Sequence, residues 1–510
     1  MNNSDIIAAL SLAITAVIFL IQTDDGLLKL KIRQSEKGWL SAILILIVFL
    51  VNHEIFDRLD LIYYFSLFNF YLKPDEWALL FFLIISGMTL KRIFNQRLYN
   101  NDPETILALA SKYRQEKKLV KLQNLLMQIM DLKNFEEQYA ESLNDTIFND
   151  HHLIEYFASN YPETLIKFSN SYSAASINQG EHFFYILNGL FEDKSNPIFS
   201  EIRNYHNDPE KRIFLEDHSS IRFDQNFKFN PAKNYKTSLP IISWLSSIMS
   251  AYPYDLKDEI KFFLNQFPPA LRKKNNKIIY SEDEINRTHS RDTVYNALRL
   301  FRILLIEFSL NDKNAIAHIS KPLLMFYSSW DFIQKYTRPA SDKVALNNDA
   351  YSINEYFLKY LFNGYLSVFF ILQHRKFSQS NQEAHLASWP LKQLFSKLNS
   401  LIGHENHVSE KTRQYYIETL FSLYFEMAEY FNNDKVQGDE TGNVLLWYIK
   451  DSLESTPYGD VELIRKTFYE VCQTFDFIEF DSVDGLQARK HLYTYLLPHT
   501  KEYEWRIVEL

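Results

Sequence analysis

Three long apolar runs lie within the first 95 residues, whereas later residues mix apolar and polar positions at helical spacing. The runs cover Ile6–Ile21, Trp39–Val51 and Trp77–Leu90, and none of them contains a charged residue. Each is short beside the roughly 17–25 residues of a membrane span, but they lie close together and two begin with tryptophan, which favours the membrane interface. They therefore predict three transmembrane helices, at about 5–22, 38–56 and 76–94.

The charges between the runs predict the orientation of these helices. Four Lys or Arg residues separate the first two runs, only two separate the second and third, and three more follow by residue 97. By the positive-inside rule, the first loop and the region after the third run face the cytoplasm. We therefore expect a multi-pass protein of the plasma (inner) membrane, with its N-terminus outside and residues 96–510 in the cytoplasm.

Two alternatives concern the same N-terminal region. A cleaved signal peptide would need a basic start and a small-residue cleavage site, but the chain has Asp5 before the first run and "IQTDDG" at its end. We therefore reject it. The aromatic stretch "LIYYFSLFNFYL" (61–72) is predicted to lie in the interface, although a fourth membrane segment at this place stays open.

The body after residue 95 has the signals of an all-α fold. The starts "NDPETILALASKY" (101–113) and "NYPETLIKFSNSY" (160–172) place proline at the first helical position and glutamate next to it. Further helices are expected at 292–310, where Arg299, Arg302 and Glu307 argue against a membrane span, and at 360–373, which is interpreted as a core helix. Stacked helical hairpins fit this pattern. The expected parts are a membrane domain (1–95), a helical subdomain (96–195), a polar boundary segment (196–240) and a C-terminal helical domain (241–510).

The amino-acid composition and net charge argue against some classes of function for this chain and exclude some kinds of site. The 510-residue chain has a net charge of −9, so affinity for nucleic acid along the whole surface is not expected. It has one cysteine, Cys472, which excludes an intrachain disulfide and zinc sites built only from cysteines. Glycine is scarce, with 11 residues, and no glycine-rich phosphate loop or familiar catalytic motif is present. No cofactor is therefore expected, and binding is favoured over catalysis.

The motif "RNYHND" supplies the candidate catalytic residues Arg203 and His206. An arginine and a histidine on one helix face can form an RNA-cleaving pair, as in HEPN ribonucleases. That family has four to six residues between them, whereas here only two intervene, and Asp208–Pro209 ends the helix directly afterwards. A polar surface turn is therefore the favoured interpretation.

Three other clusters contain ionisable residues. His404, Glu405 and His407 in "GHENH" are a candidate metal site, but zinc takes three or four ligands and no further partner is recognisable. Asp150–His152 is a similar candidate metal site, and it also lacks a recognisable further ligand. The residues Asp258, Glu259 and Lys261 only superficially resemble a nuclease triad.

The fourth cluster is a basic loop that follows two prolines. Its cations can contact an anionic lipid surface or a nucleic-acid backbone, although a solvated loop is the simpler interpretation. The residues are Arg272, Lys273, Lys274 and Lys277.

The sequence therefore predicts a membrane-anchored helical protein whose cytoplasmic body binds a protein partner. We expect it to act as a sensor or scaffold in a bacterial stress or phage-defence system. The alternatives are a membrane-perturbing effector that uses its transmembrane helices and a membrane-tethered nuclease. The oligomeric state stays open.

Overall fold

A computed structural model describes most of the first half of the body and three later segments. The described ranges are 103–212, 214–215, 235–252, 256–270, 278–279, 292–311 and 351–378, with a few isolated positions elsewhere. The chain divides into two compact units, Met1–Asp150 and His151–Leu510. The predicted transmembrane helices lie outside the described residues, apart from the single positions Ile84 and Met88.

In the N-terminal unit, two helices are followed by a segment that alternates π-helical and α-helical turns. The α-helices are α1 (Pro103–Gln115), α2 (Leu119–Ile129) and α3 (Glu141–Leu143), and the π-helical turns are Glu136–Ala140 and Asn144–Phe148. A two-residue antiparallel pair, β1 (Ser66–Leu67) with β2 (Phe70–Tyr71), also belongs to this unit. Its core is aliphatic and aromatic, with Ile106, Leu122, Leu126, Leu143 and Ile147 all fully buried.

The turn between α1 and α2 forms without glycine. Lys117 adopts a left-handed backbone conformation, with φ of 53°. Its amide donates to the Arg114 carbonyl, and the Lys118 amide donates to the Tyr113 carbonyl, which caps the end of α1. A lysine in this conformation has a steric cost that glycine would avoid. The end of α1 is therefore less stable than it would be with glycine at position 117.

The C-terminal unit contains ten described α-helices. They are α4 (His151–Asn160), α5 (Pro162–Ser171), α6 (Ala175–Glu181), α7 (Phe183–Glu192), α8 (Pro197–Asn207), α9 (Pro209–Arg212), α10 (Pro240–Ala251), α11 (Leu256–Leu264), α12 (Thr293–Asn311) and α13 (Ile353–Ser378). A two-residue antiparallel pair, β3 (Ile278–Ile279) with β4 (Tyr351–Ser352), leads into α13.

Helix α12 is the centre of this unit. Every residue from Val294 to Leu310 is buried, and the helix packs against α8, α10 and α13. Asp292 caps its start by accepting a hydrogen bond from the Tyr295 amide at 3.0 Å. A helix buried on all sides has to bury its polar residues as well, and these residues form the site described below.

The described residues confirm the all-α class and several predicted helices. Helices begin at Pro103 and Pro162, as their Pro-Glu-Thr starts predict, and α12 covers the helix expected at 292–310. Residues 360–373 lie within α13, where Leu361, Phe362 and Ile371 are buried. The predicted boundary segment 196–240 begins with α8, and the division of the body around it stays a prediction.

Among the residues that the structure describes, no helix combines the length and the apolar character that a membrane span requires. The predicted spans at about 5–22, 38–56 and 76–94 therefore stay predictions.

Candidate functional site

The buried carboxylate of Glu307, on α12, is the acceptor around which several segments converge. Its Oε1 accepts hydrogen bonds from the Tyr205 hydroxyl and the Lys211 ammonium, both at 2.8 Å. Its Oε2 accepts from the Thr237 amide at 3.1 Å and from the Asn311 side-chain amide at 3.0 Å. Two donors at each oxygen use the acceptor capacity of a carboxylate, so Glu307 joins segments together and has no capacity left for a substrate.

The partners of Glu307 are themselves enclosed. The Lys211 ammonium also donates to the Tyr235 carbonyl and lies 5.7 Å from the centroid of the Tyr205 ring. Burial, with the Glu307 carboxylate beside it, raises the pKa of Tyr205 well above its usual value. Tyr205 is therefore neutral at physiological pH and donates a hydrogen bond to Glu307. The positive charge that compensates the Glu307 carboxylate comes from Lys211.

His206, one of the two candidate catalytic residues, points towards α12 and α13. Its Nδ1 lies 2.9 Å from the Ile202 carbonyl, its Nε2 lies 3.0 Å from the Tyr360 hydroxyl, and Arg299 donates from Nε to the same Nε2 at 3.1 Å. A carbonyl can only accept, so Nδ1 carries the proton and Nε2 is the acceptor. Burial, followed by the charge of Arg299, lowers the pKa of His206 well below its usual value.

The proposed partner of His206 lies elsewhere. Arg203 is exposed on the surface of α8, and the arginine that contacts His206 is Arg299, 93 residues later in the chain. Both ring nitrogens of His206 are engaged, so in this geometry the imidazole holds α8 against α12 and α13. It would have to break a hydrogen bond before it could take a proton from a substrate.

Arg302 lies one turn after Arg299 and is also buried. Its Nη2 donates to the Ser367 hydroxyl at 3.1 Å, and its guanidinium carbon lies 4.9 Å from the centroid of the Tyr360 ring. A Cβ at Gly364 would lie 3.0 Å from Arg302 Cγ, so the glycine leaves space for the aliphatic part of this side chain. Arg302 therefore contacts α13 directly, whereas the described contacts of Arg299 are with His206 and Tyr295.

A second buried carboxylate fixes the start of α10. Glu201 of α8 accepts hydrogen bonds from the backbone amides of Ile241 at 3.1 Å and Ile242 at 2.9 Å. These are first-turn amides, which have no partner within their own helix, and a carboxylate at that end is also favoured by the helix dipole. Burial raises the pKa of Glu201, while the two amides act in the opposite direction.

The other clusters that the sequence singled out are only partly described by the structure. His404, Glu405 and His407, and the basic loop from Arg272 to Lys277, lie outside the described residues. Asp150 accepts a hydrogen bond from Arg114 at 2.7 Å, and His151 stacks on Tyr185 with ring centroids 4.7 Å apart. Among the residues described, there is no group of three or more His, Cys, Asp or Glu side chains that could hold a metal ion.

The side chains of Asp258, Glu259 and Lys261, which superficially resemble a nuclease triad, do not come together on α11. Asp258 and Lys261 are exposed, whereas the Glu259 carboxylate accepts a hydrogen bond from the Phe184 amide at 2.9 Å. Burial raises the pKa of Glu259. The three residues therefore do not converge, and Glu259 has a packing role between α7 and α11.

Sequence reasoning found His206 but missed its contacts with Arg299 and Tyr360, as well as the role of Lys211. One signal was available, because three ionisable residues within an otherwise apolar helix imply buried partners. Comparison with known proteins adds no further assignment, since no protein-family model, curated protein or solved structure matches this chain. The contacts of Glu307 and His206 are suited to rigid support, because they join α8, α9, α12 and α13.

The neutral state of His206 predicts a pH dependence of stability. Its folded pKa is lowered from an unfolded value of about 6.5, so below that pH the unfolded chain binds the proton more strongly. The stabilisation is fully present above pH 6.5 and declines as the pH falls, by at most about 1.4 kcal/mol per pH unit. We expect thermal unfolding of His206→Gln to show a correspondingly weaker dependence between pH 6.5 and pH 5 than the unchanged protein.

An exposed arginine on the same helix provides the control for this measurement. Arg203→Gln removes a side chain that does not titrate between pH 5 and pH 6.5, so it is expected to leave the pH profile of the unfolding temperature unchanged. Parallel profiles for His206→Gln and the unchanged protein would contradict a neutral His206 with a lowered pKa.

Proposed function

We propose that this protein is anchored in the bacterial inner membrane by its N-terminal helices and that its helical body binds a protein partner. The proposed role is that of a sensor or scaffold in a stress or phage-defence system. The anchor rests on the three apolar runs and on the uneven distribution of Lys and Arg around them. The binding role rests on one observation, a partly exposed aromatic patch on the C-terminal unit, defined as His151, Phe184, Tyr185 and Phe262.

The patch combines the exposed rings of His151 and Phe262 with the half-buried rings of Phe184 and Tyr185, and each ring contacts the next. Phe262 is 59% exposed, and the centroid of its ring lies 6.4 Å from that of Phe184. The ring centroid of Phe184 lies 5.0 Å from that of Tyr185. The Tyr185 ring stacks on His151, with ring centroids 4.7 Å apart. Single exposed apolar residues are common on soluble surfaces, but adjoining aromatic rings are enriched where proteins bind each other.

The rings are carried by helices that are fixed to each other. Glu259 accepts a hydrogen bond from the Phe184 amide, and Gln266 donates to the Asn188 side-chain oxygen at 2.7 Å. Phe263, the neighbour of Phe262, faces the core and packs against Phe191 at 5.7 Å. A surface that is already ordered loses less conformational entropy on binding, which favours recognition of a structured protein partner.

A site-specific crosslink tests this function. In cells that express the full-length protein, a photoreactive residue at exposed Lys261 is expected to capture a partner beside the patch. Phe262→Ala should reduce the crosslinked species at least about tenfold, because truncation of an aromatic hot spot costs 2 kcal/mol or more. The matched control is Val120→Ala, which truncates an apolar side chain that is 52% exposed in the other unit.

Two results would count against the proposal. Equal crosslinking in Phe262→Ala and Val120→Ala would remove the aromatic patch as the contact surface. For the membrane part, a reporter fused after Leu510 should be active on the cytoplasmic side, and activity only outside the cell would contradict the predicted orientation.

A further inference from the structure

Three helices supply the rings of the aromatic patch. Helix α7 carries the two middle rings, Phe184 and Tyr185, and it packs against both α4, which carries His151, and α11, which carries Phe262. From His151 to Phe262, successive ring centroids are 4.7, 5.0 and 6.4 Å apart. These spacings are close to the rise of one turn of an α-helix, roughly 5.4 Å.

The spacing of the rings matches the apolar stripe of an amphipathic helix. Side chains on one face of such a helix follow each other about once per turn, so successive side chains of the stripe meet successive rings. A β-strand presents side chains to one face only every 6.6–6.8 Å or about that, which is longer than each of the ring spacings. A preformed apolar surface of this kind is therefore suited to recognition of a helix.

Carboxylates flank both ends of the aromatic patch. Asp258 is exposed and lies one turn before Phe262 on α11, so the two side chains share a face of that helix. Glu155 is half-buried and lies one turn after His151 on α4. An acidic group therefore accompanies the first and the last ring.

A third carboxylate lies near the middle of the patch. Glu181, at the end of α6, is exposed and adjoins His182, whose ring centroid lies 6.3 Å from that of Tyr185. Burial lowers the pKa of His182, although the charge of Glu181 acts in the opposite direction, so this imidazole is neutral at physiological pH. Helices α4, α6, α7 and α11 together contain five carboxylates and two lysines, one of them the exposed Lys261. The surface around the rings therefore attracts Lys and Arg.

We infer that the partner binds the aromatic patch with a basic amphipathic helix. Its apolar stripe covers the rings, and Lys or Arg residues beside the stripe face Glu155, Glu181 and Asp258. This rests on the proposed function, because it specifies the segment that the protein partner presents. The rings supply most of the affinity, whereas the carboxylates select the charge and direction of the helix.

Two synthetic peptides test the charge of the partner helix. Each has about 18 residues, or five turns, with a leucine stripe at helical spacing, and the stripe is flanked by lysine in one peptide and by glutamate in the other. Fluorescence anisotropy measures their binding to the full-length protein in phosphatidylcholine nanodiscs, with empty nanodiscs as the blank. We expect saturable binding of the lysine peptide and at least several-fold weaker binding of the glutamate peptide.

Charge reversal at the rim of the patch is the second arm of this experiment. Asp258→Lys should weaken binding of the lysine peptide about two- to tenfold and strengthen that of the glutamate peptide, because an attraction becomes a repulsion. The matched control is Glu137→Lys, which makes the same change at an exposed position in the N-terminal unit and should alter neither affinity. Should Asp258→Lys not fold, Asp258→Asn removes the charge and is expected to weaken the lysine peptide about twofold.

Equal affinity of the two peptides, no binding of the lysine peptide, or equal effects of Asp258→Lys and Glu137→Lys would overturn the inference. The crosslink at Lys261 separates this failure from that of the proposed function, since a crosslink that depends on Phe262 keeps the aromatic patch as the contact surface. Mass spectrometry of the crosslinked product identifies the captured segment, which is expected to be basic and amphipathic at helical spacing. An acidic segment, or a segment from a second copy of this chain, would contradict the inferred partner.

Discussion

Replacement of Glu307 by glutamine is expected to lower the free energy of unfolding by about 3–5 kcal/mol, because it leaves the Lys211 ammonium buried without its counter-charge. Glutamine has nearly the same volume, so the loss does not arise from a cavity. Its side-chain nitrogen would also face donors that now point at a carboxylate oxygen, which leaves some of them without an acceptor. Chemical denaturation of the full-length protein in detergent, followed by far-ultraviolet circular dichroism, measures the change.

Two further variants show whether the buried charge is the cause. Glu116 forms exposed ion pairs with Lys112 and Lys118, so Glu116→Gln is expected to leave the unfolding midpoint unchanged. The double variant Lys211→Met with Glu307→Leu removes both charges and should be more stable than Glu307→Gln alone. A double variant no more stable than Glu307→Gln would contradict the buried, unpaired charge as the cause.

Replacement of Gly189 by alanine is expected to destabilise the C-terminal unit by about 1–3 kcal/mol, because α4 passes too close for a methyl group. A Cβ at this position would lie 2.3 Å from the Glu155 carbonyl oxygen and 2.8 Å from Ala158 Cβ. The obstacle includes helix backbone, which cannot move aside as a flexible side chain can. The clash should therefore exceed the gain of about 1 kcal/mol that alanine brings to a helix interior.

Gly364 provides the matched control, since it is also a buried glycine within a helix. A Cβ there would approach Arg302 Cγ at 3.0 Å, and the methylene part of this arginine side chain can shift by a few tenths of an ångström. Gly364→Ala gains the same helix propensity with a smaller clash, so its unfolding midpoint should stay close to that of the unchanged protein. Equal destabilisation by the two substitutions would contradict the close approach of α4 and α7 as the cause.

Several features of the helices could be predicted from local sequence patterns. The starts at Pro103 and Pro162 and the extent of α12 follow from proline position, first-turn acids and apolar spacing, all of which act within a few residues. The core placement of residues 360–373 followed from their apolar character and their polar flanks. The π-helical turns at Glu136–Ala140 and Asn144–Phe148 were not predicted, because they depend on how the segment packs and have no simple local signature.

The contacts within the candidate site could not be predicted from local sequence patterns. His206 was recognisable as a candidate, but a partner was sought at Arg203, three residues away on the same helix. The structure instead brings Arg299 to it from 93 residues along the chain, and Tyr360 from 154. Sequence spacing identifies neighbours on one helix face, whereas these contacts arise between helices whose order in space is set by core packing.

The sequence by itself determined that the described body is helical, where several helices begin, and that the helix at 292–310 carries three ionisable side chains within an apolar stretch. It could do so because helix propensity, capping and the cost of burying charge depend on residue type and near neighbours. Only the tertiary structure decided that Glu307 pairs with Lys211, that Arg299 contacts His206, and that Gly189 lies against the backbone of α4. These contacts depend on the path of the chain between distant segments, which the packing of apolar faces selects only once the whole core has formed.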